Sequence, residues 1–398
     1  LLNVEYNMRT AHRTHTFTES VIREMTRVAN RYGAINLAQG FPDFAAPEPI
    51  KDAAVAAIRA DINQYAITWG APRLRAALAE KYQRLYGMEV DGEREIVVTC
   101  GATEAMASAM LALVDPGEEV IIYEPFYENY GPDSILCGAK PVFVPGRADG
   151  GPDLDATAAA FSDRTRGIII NSPNNPTGHV FNRDELEAIA RLCIRHDALA
   201  FTDEIYEHIL YEGEHVPIAT IEGMRERTVT VSGASKTFSI TGWRIGTIVA
   251  PATLTDAIKK THDFLTVGAP APLQEAVAAG LEELDQSYYR ELAEDYRRRR
   301  DVMYDGLVAA GFACRPPAGS YYILADFSKL SDLPDDEFAV WLAREHGVAS
   351  VPGSSFYSDP ADGRTQVRFA FCKTIGTLEE AADRLAALGA QGSSSRLT

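Results

Sequence analysis

The chain has 398 residues, 46% of them hydrophobic and 24% charged, and a formal net charge of −18. That length allows ~2 to 3 domains and a sizeable core, and the composition is that of an ordinary globular protein. The acidic balance argues against a nucleic-acid or anionic-membrane partner, because both need a positive footprint.

Taken in chain order, the opening LLNVEYNMRTAHRT is polar and lacks the apolar stretch of a signal peptide. No apolar run approaches the ~18 residues of a membrane span. The five cysteines, Cys100, Cys137, Cys193, Cys314 and Cys372, are scattered and odd in number, with no CxxC pair. They fit neither a disulfide framework nor a zinc cluster, so a soluble cytoplasmic protein without a bound metal is expected.

The stretch TCGATEAMASAMLALV predicts a loop entering a helix, with Gly101, Ala102 and Thr103 at its start. Backbone N–H groups at such a start favour a dianion. Four short apolar runs follow: one ending at Tyr123, then Ile168–Ile170, Leu199–Phe201 and Val229–Val231. Three of the four are β-branched, which predicts buried parallel strands. Helical patterns such as RDELEAIARLCIRHD lie between them, so the fold class is α/β, an open sheet with right-handed crossovers. Polar and aromatic residues follow each run. In open α/β sheets ligands bind beyond the carboxyl ends of strands, so Tyr127, Asn175, Asp203 and Lys236 are expected to converge on one crevice. Four unrelated turns are the alternative.

From about Asp295 the character changes. EDYRRRRDVMYDGLVAAGF predicts a long exposed helix, with the charge run from Tyr296 to Asp301 as its solvated face. GSYYILADFS, VASVPGSSFY and QVRFAFC predict strands with helices between them, a smaller α+β domain. The tail GAQGSSSRLT is expected to fray.

The segment GASKTFSITGWRIG, from Gly233 to Gly246, satisfies a long lysine signature at every restricted position. With it, the chain from INLAQGFPDF to VRFAFC resembles the class I aminotransferases of the pyridoxal 5'-phosphate (PLP) fold-type I group. The likeness is greatest to the kynurenine and methionine aminotransferase branch. The resemblance implies an N-terminal arm and part of a small domain over 1–48. It implies a large PLP-binding domain with a mostly parallel sheet over 49–295, and a small C-terminal domain over 296–398.

It also implies a role for each matching residue. Lys236 bonds covalently to the cofactor aldehyde, and once freed it shuttles a proton at the substrate Cα. Small neighbours and a nearby cation lower its pKa. Asp203 pairs with the ring nitrogen and so keeps the ring an electron sink. Asn175 and Tyr206 bond the ring hydroxyl, with Asn171 beside them, and Tyr127 stacks on the ring. Gly101, Ala102, Thr103 and Arg244 hold the phosphate. Many relatives carry a serine three residues before the lysine; here Gly233 stands there, so Ser235 or Ser232 supplies the hydroxyl. Tyr65, in NQYAITWGAPRLR, reaches the phosphate of a neighbouring subunit, which implies a homodimer with shared active sites. Arg368 clamps the substrate carboxylate with the backbone of Gly40 as second contact. Ile22 and Phe17 shape the pocket.

Each residue taken alone has a plainer reading: Lys236 on a surface loop, Asp203 as a helix cap, Asn175 in a turn, Tyr127 and Tyr65 in a core, Arg368 on a strand surface. Together they imply an aminotransferase that moves the amino group of an L-amino acid to a 2-oxo acid by ping-pong kinetics, with aromatic, methionine-like or glutamine-like donors. A carbon–sulfur β-lyase on the same scaffold is the alternative, since it begins with the same deprotonation. A PLP-binding regulator would need a DNA-binding module ahead of this domain, and fewer than fifty residues precede INLAQGFPDF.

Overall fold

The computed structural model describes residues 10–391. The first nine residues of the polar start lie outside them, as does the tail expected to fray from residue 392 onward.

Seven strands form the central sheet: β1 (Ile96–Thr99), β2 (Glu119–Glu124), β3 (Lys140–Pro145), β4 (Thr165–Asn171), β5 (Leu199–Asp203), β6 (Thr228–Gly233) and β7 (Gly246–Val249). Their order is β1-β7-β6-β5-β4-β2-β3. The pairs β2–β3, β2–β4, β4–β5 and β5–β6 are parallel, and β7 alone runs against its neighbours β1 and β6. The large, mostly parallel sheet expected from the four apolar runs is therefore present, as β2, β4, β5 and β6.

Every residue of β1, β2, β5 and β7 is buried, as in a sheet covered on both faces. β3 is the half-exposed edge, and Lys140, Pro141 and Pro145 suit it to that place. α-Helices connect β2 to β3, β3 to β4 and β4 to β5, while β5 reaches β6 through a loop with two short 3-10 turns. Arg183–Arg195, between β4 and β5, starts with a capping box in which Asn182 and Glu185 satisfy each other's backbone.

The C-terminal part carries a four-stranded antiparallel sheet of Val351–Pro352, Gln366–Ala370, Tyr322–Asp326 and Ala313–Cys314. The chain's beginning joins it: Ile35–Asn36 pairs with Val348–Ala349, and Met25, Leu37 and Ala38 share a core with Phe338, Val367 and Phe369. One 24-residue helix, Gln286–Ala309, passes through the expected domain junction at 295/296.

That helix corrects the reading of its charge run. Tyr296 is completely buried and Arg300 nearly so, within a stripe of Tyr289, Leu292, Tyr296, Arg300, Met303 and Leu307. The spacing of three and four puts these on one face. Arg300 donates to the Pro317 carbonyl at 3.2 Å and lies 5.0 Å from the centre of the Tyr211 ring. Only part of the run, such as Arg298, faces solvent.

Candidate active site

β1, β2, β4, β5 and β6 all point the same way, so their carboxyl ends share one edge of the sheet. Beyond those ends stand Gly101 to Thr103, Tyr127, Asn171 with Asn175, Asp203 with Tyr206, and Lys236. In register, Asn171 lies opposite Asp203, and Asp203 opposite Val231. The C-terminal sheet brings Arg368 and Tyr322 to this edge from above, and the N-terminal arm brings Ala38 and Gly40.

Lys236 lies in the short helix Ala234–Thr237 directly after β6. Its Nζ donates to the Gly40 carbonyl at 3.2 Å and lies 5.7 Å from the centre of the Tyr321 ring. The Tyr321 hydroxyl donates to the same carbonyl at 2.8 Å. Gly40 has to be glycine, because a Cβ there would sit 2.0 Å from the Tyr322 hydroxyl. Burial lowers the Lys236 pKa to about 8, with Arg244 and Arg368 adding to the effect and Asp203 opposing it. Only the neutral amine attacks an aldehyde, so the apoenzyme is expected to take up PLP at a rate that rises with pH and levels off above about 8. Stopped-flow absorbance measures this, and a midpoint near the ordinary 10.5 would contradict it. Asp203→Asn is expected to move the midpoint down, since it removes a charge that favours the ammonium.

Asp203 is buried, accepts the Tyr130 hydroxyl at 2.8 Å on one oxygen and the Ile205 amide at 3.3 Å on the other. Burial pushes its pKa up despite these donors. A carboxylate in that position lacks a cation, and a protonated ring nitrogen is one, so the residue fits the expected cofactor. The Tyr206 hydroxyl meets that of Tyr322 at 3.1 Å, and Tyr127 packs edge-on against Tyr130. Asn171 accepts the Asn175 amide at 2.7 Å and donates to the Asp203 carbonyl at 2.9 Å, which ties β4 to β5.

Arg368 is completely buried in the strand Gln366–Ala370. Its two terminal nitrogens donate to Asn175 Oδ1 at 2.8 Å and to the Ala38 carbonyl at 2.7 Å. The guanidinium sits 4.2 Å from the Tyr322 ring centre and 5.0 Å from that of Phe356. Its Nε has no hydrogen-bond partner. Among the described residues its hydrogen-bond partners are neutral oxygens only, a setting that suits a carboxylate ligand.

The helix Ala102–Leu113 begins beside Arg244. Gly101, at φ +86°, has no room for a Cβ, which would lie 2.2 Å from Arg244 Nη2; one on Gly246 would lie 2.3 Å from the Gly101 carbonyl carbon. Arg244 donates to the Thr241 carbonyl at 3.0 Å and sits at φ 57°, a left-handed conformation costing a non-glycine residue about 1 kcal/mol. The first-turn amides have no helical partner and face this guanidinium, a pairing that suits a phosphate dianion.

Gly233 is explained locally: a Cβ there would meet the Ile245 carbonyl oxygen at 2.8 Å. Ser232 does not compensate, because its hydroxyl donates to Glu207 at 2.6 Å. Ser235 remains as the hydroxyl at this turn. Three expected residues are exposed in the single chain: Thr103 and Arg244, at the start of the helix Ala102–Leu113, and Tyr65, which is 87% exposed on a loop.

Sequence reasoning missed Tyr130, Tyr321, Tyr322 and the Ala38 carbonyl. Their signals were faint, an aromatic two residues after ENY begins and a Tyr-Tyr pair inside a strand. It also missed a buried ionic cluster behind the site. In TDEIYEH, Asp203 and Tyr206 face the crevice, while Glu204 and Glu207 face the other way. Glu207 accepts Lys81 and Ser232 at 2.6 Å each, and the Tyr86 hydroxyl; Glu204 accepts His215 at 2.8 Å. Burial raises the Glu207 pKa, but Lys81, His208 and His215 outweigh it and hold it far below the carboxylate range. Lys81→Met strands a buried carboxylate and is expected to cost about 3–5 kcal/mol in a denaturant titration. The double change Lys81→Met with Glu207→Gln is expected to lose less than the single one. A single-variant loss within experimental error would contradict the assignment.

Residues 32–385 match the family described as aminotransferase class I and II. The structure of N-succinyldiaminopimelate aminotransferase from Mycobacterium tuberculosis superposes with a TM-score of 0.92 at 41% identity, covering 96% of this chain and 100% of that one. Methionine aminotransferase of Escherichia coli (strain K12) is 38% identical, over 92% of this chain and 95% of its own. Kynurenine–oxoglutarate transaminase 1 of Homo sapiens is 36% identical, over 91% and 94%. All three are named for amino transfer, which favours that reaction over carbon–sulfur cleavage.

Proposed function

The chain belongs to the class I and II aminotransferases and is a PLP-dependent transaminase of fold type I, and from that premise we propose that it takes amino acids with neutral side chains as donors: aromatic, methionine-like or glutamine-like. The observation that carries this reading is the company Arg368 keeps. Around it stand Asn175, Tyr322 and Phe356, none of them a cation. The next basic group along the strand, Lys373, is turned to the carbonyl of Phe41 at 2.7 Å and to its ring. Among the described residues that touch Arg368 there is no cation to pair with an acidic donor side chain.

When bound, PLP supplies an aldehyde and an electron-withdrawing ring that stabilises negative charge at the substrate Cα. Arg368 grips the α-carboxylate through planar donors and fixes which bond at Cα faces Lys236. The Lys236 amine removes the Cα proton and returns it nearby, a task suited to a pKa of about 8. Asp203 holds a proton on the ring nitrogen, and Tyr130 keeps Asp203 in place. Asn175 and Tyr206 donate toward the ring oxygen. Gly101, Ala102, Thr103, Ser235 and Arg244 hold the phosphate, and Tyr127 covers the ring. The departing 2-oxo acid frees Arg368 for the incoming one, so the two half-reactions share one site.

The same reading makes the chain one half of a homodimer, with Tyr65 completing the partner's phosphate site. Its support is an apolar patch: Tyr65 is 87% and Phe264 91% exposed, with Ile62, Ile67, Leu265 and Val267 around them. Among the described residues no helix is long and apolar enough to cross a membrane.

Comparing kcat/KM across donors tests the substrate class. Methionine, glutamine, phenylalanine and kynurenine are expected to exceed aspartate and glutamate by at least about tenfold, the order of one charged hydrogen bond. Aspartate or N-succinyldiaminopimelate as the best donor would overturn the reading.

A further inference from the structure

His262 lies in the helix Ala252–Thr266, has no exposure to solvent and takes no part in the chemistry above. Its Nδ1 meets the Glu104 carboxylate at 3.0 and 3.2 Å, and its Nε2 meets the Thr68 carbonyl at 2.8 Å. A carbonyl oxygen can only accept. Glu104 also accepts the Cys100 amide at 3.0 Å. Both ring nitrogens thus face acceptors, and the imidazolium is the form that satisfies both; the Thr266 hydroxyl also lies 3.3 Å from Nδ1. Its pKa is raised in keeping with this: burial opposes the charge, but Glu104 outweighs it.

The two partners serve the two cofactor sites of the proposed dimer. Glu104 is in the first turn of the helix that starts at Ala102, and through the Cys100 amide it fixes the peptide that precedes Gly101. The Cys100 carbonyl faces Arg244 Nη2 at 3.5 Å from the other side. Thr68 lies three residues after Tyr65, in the segment proposed to complete the neighbouring subunit's phosphate site.

We propose that His262 is a positioning residue for the cofactor phosphate, a buried imidazolium that braces the Cys100–Thr103 turn through Glu104 and the Tyr65 segment through Thr68. The proposal rests on the reading of Gly101 to Thr103 and Arg244 as the phosphate site. Its consequence is selective: loss of the brace loosens the grip on the phosphate and leaves the grip on the ring and aldehyde alone.

The test compares the dissociation constants of PLP and of pyridoxal, which lacks the phosphate, with apoenzyme of wild type, His262→Gln and Glu104→Gln. Glutamine at 262 can serve one partner but not both, and glutamine at 104 keeps the shape without the charge, so the second variant decides the matter if the first does not fold. Both variants are expected to bind PLP about tenfold more weakly, as for loss of a charged hydrogen bond, with pyridoxal binding unchanged. Parallel weakening of both ligands, or no change in either, overturns the proposal. Wild-type enzyme that binds PLP no more tightly than pyridoxal overturns the phosphate site itself, and the brace with it.

Discussion

Lys236→Ala is expected to lower kcat for amino transfer by about 10⁴-fold, the upper range for loss of a positioned acid–base group. Four features of the residue combine to give that effect. It follows β6 at the edge where five strand ends meet. It is half-buried, and burial is the main cause that lowers its pKa to about 8. Its single hydrogen bond goes to a backbone carbonyl, so it is held in place without a carboxylate to fix its charge. Its side chain contributes little else to packing, so the variant is expected to fold and to bind PLP without forming the covalent link. The measurements are a coupled rate assay and the absorbance of the bound cofactor. An active Lys236→Ala enzyme would assign the proton transfer to another group. Lys236→Arg separates charge from chemistry: it retains a cation but has no neutral amine, and it should be as inactive as alanine.

Arg368→Leu is expected to raise the KM for the amino acid donor about 100-fold, the order found when one partner of a buried charged pair is removed. The side chain is completely buried, packed between Tyr322 and Phe356, and bonded only to neutral oxygens of Asn175 and Ala38. The free enzyme thus carries the desolvation cost of this cation, which a bound substrate carboxylate would offset. A second expectation follows. The Arg368→Leu apoenzyme should be at least as stable as wild type toward denaturant, because the substitution removes an uncompensated charge. An unchanged KM would contradict the assignment of Arg368 as the carboxylate receptor. Arg368→Lys tests the geometry: a point charge cannot hold Asn175, Ala38 and a carboxylate at once, so it should recover only part of the lost affinity.

What could be read in the sequence depended on how local the signal was. β4, β5 and β6 stood out because Ile168–Ile170, Leu199–Phe201 and Val229–Val231 are buried on both faces and so carry no charged residue. β1 and β7, four residues each, are too short to announce themselves, and the edge strand β3 is interrupted by prolines. The lysine signature placed Lys236 and Arg244 because both lie within one stretch. The contacts that hold the site together are different in kind. Arg368 reaches Ala38 across 330 residues of chain, and Tyr130 reaches Asp203 across 73. No local pattern encodes such pairs. The acidic pair Glu204 and Glu207 reads as surface charge until Lys81 and His215 are seen against it. The charge run after Asp295 misled for the same reason, since Tyr296 and Arg300 find their buried partners only in the folded chain.

The central claim is that this chain moves an amino group onto its cofactor and stops until a second oxo acid arrives. A single-turnover experiment tests it most directly: PLP-loaded enzyme is mixed with excess methionine or glutamine and no oxo acid, and the products are counted. The expected result is one equivalent of the matching 2-oxo acid per Lys236 site, with no free ammonia and no further reaction until an oxo acid is added. Continuous release of ammonia with a 2-oxo acid, running past one equivalent without an acceptor, would contradict it.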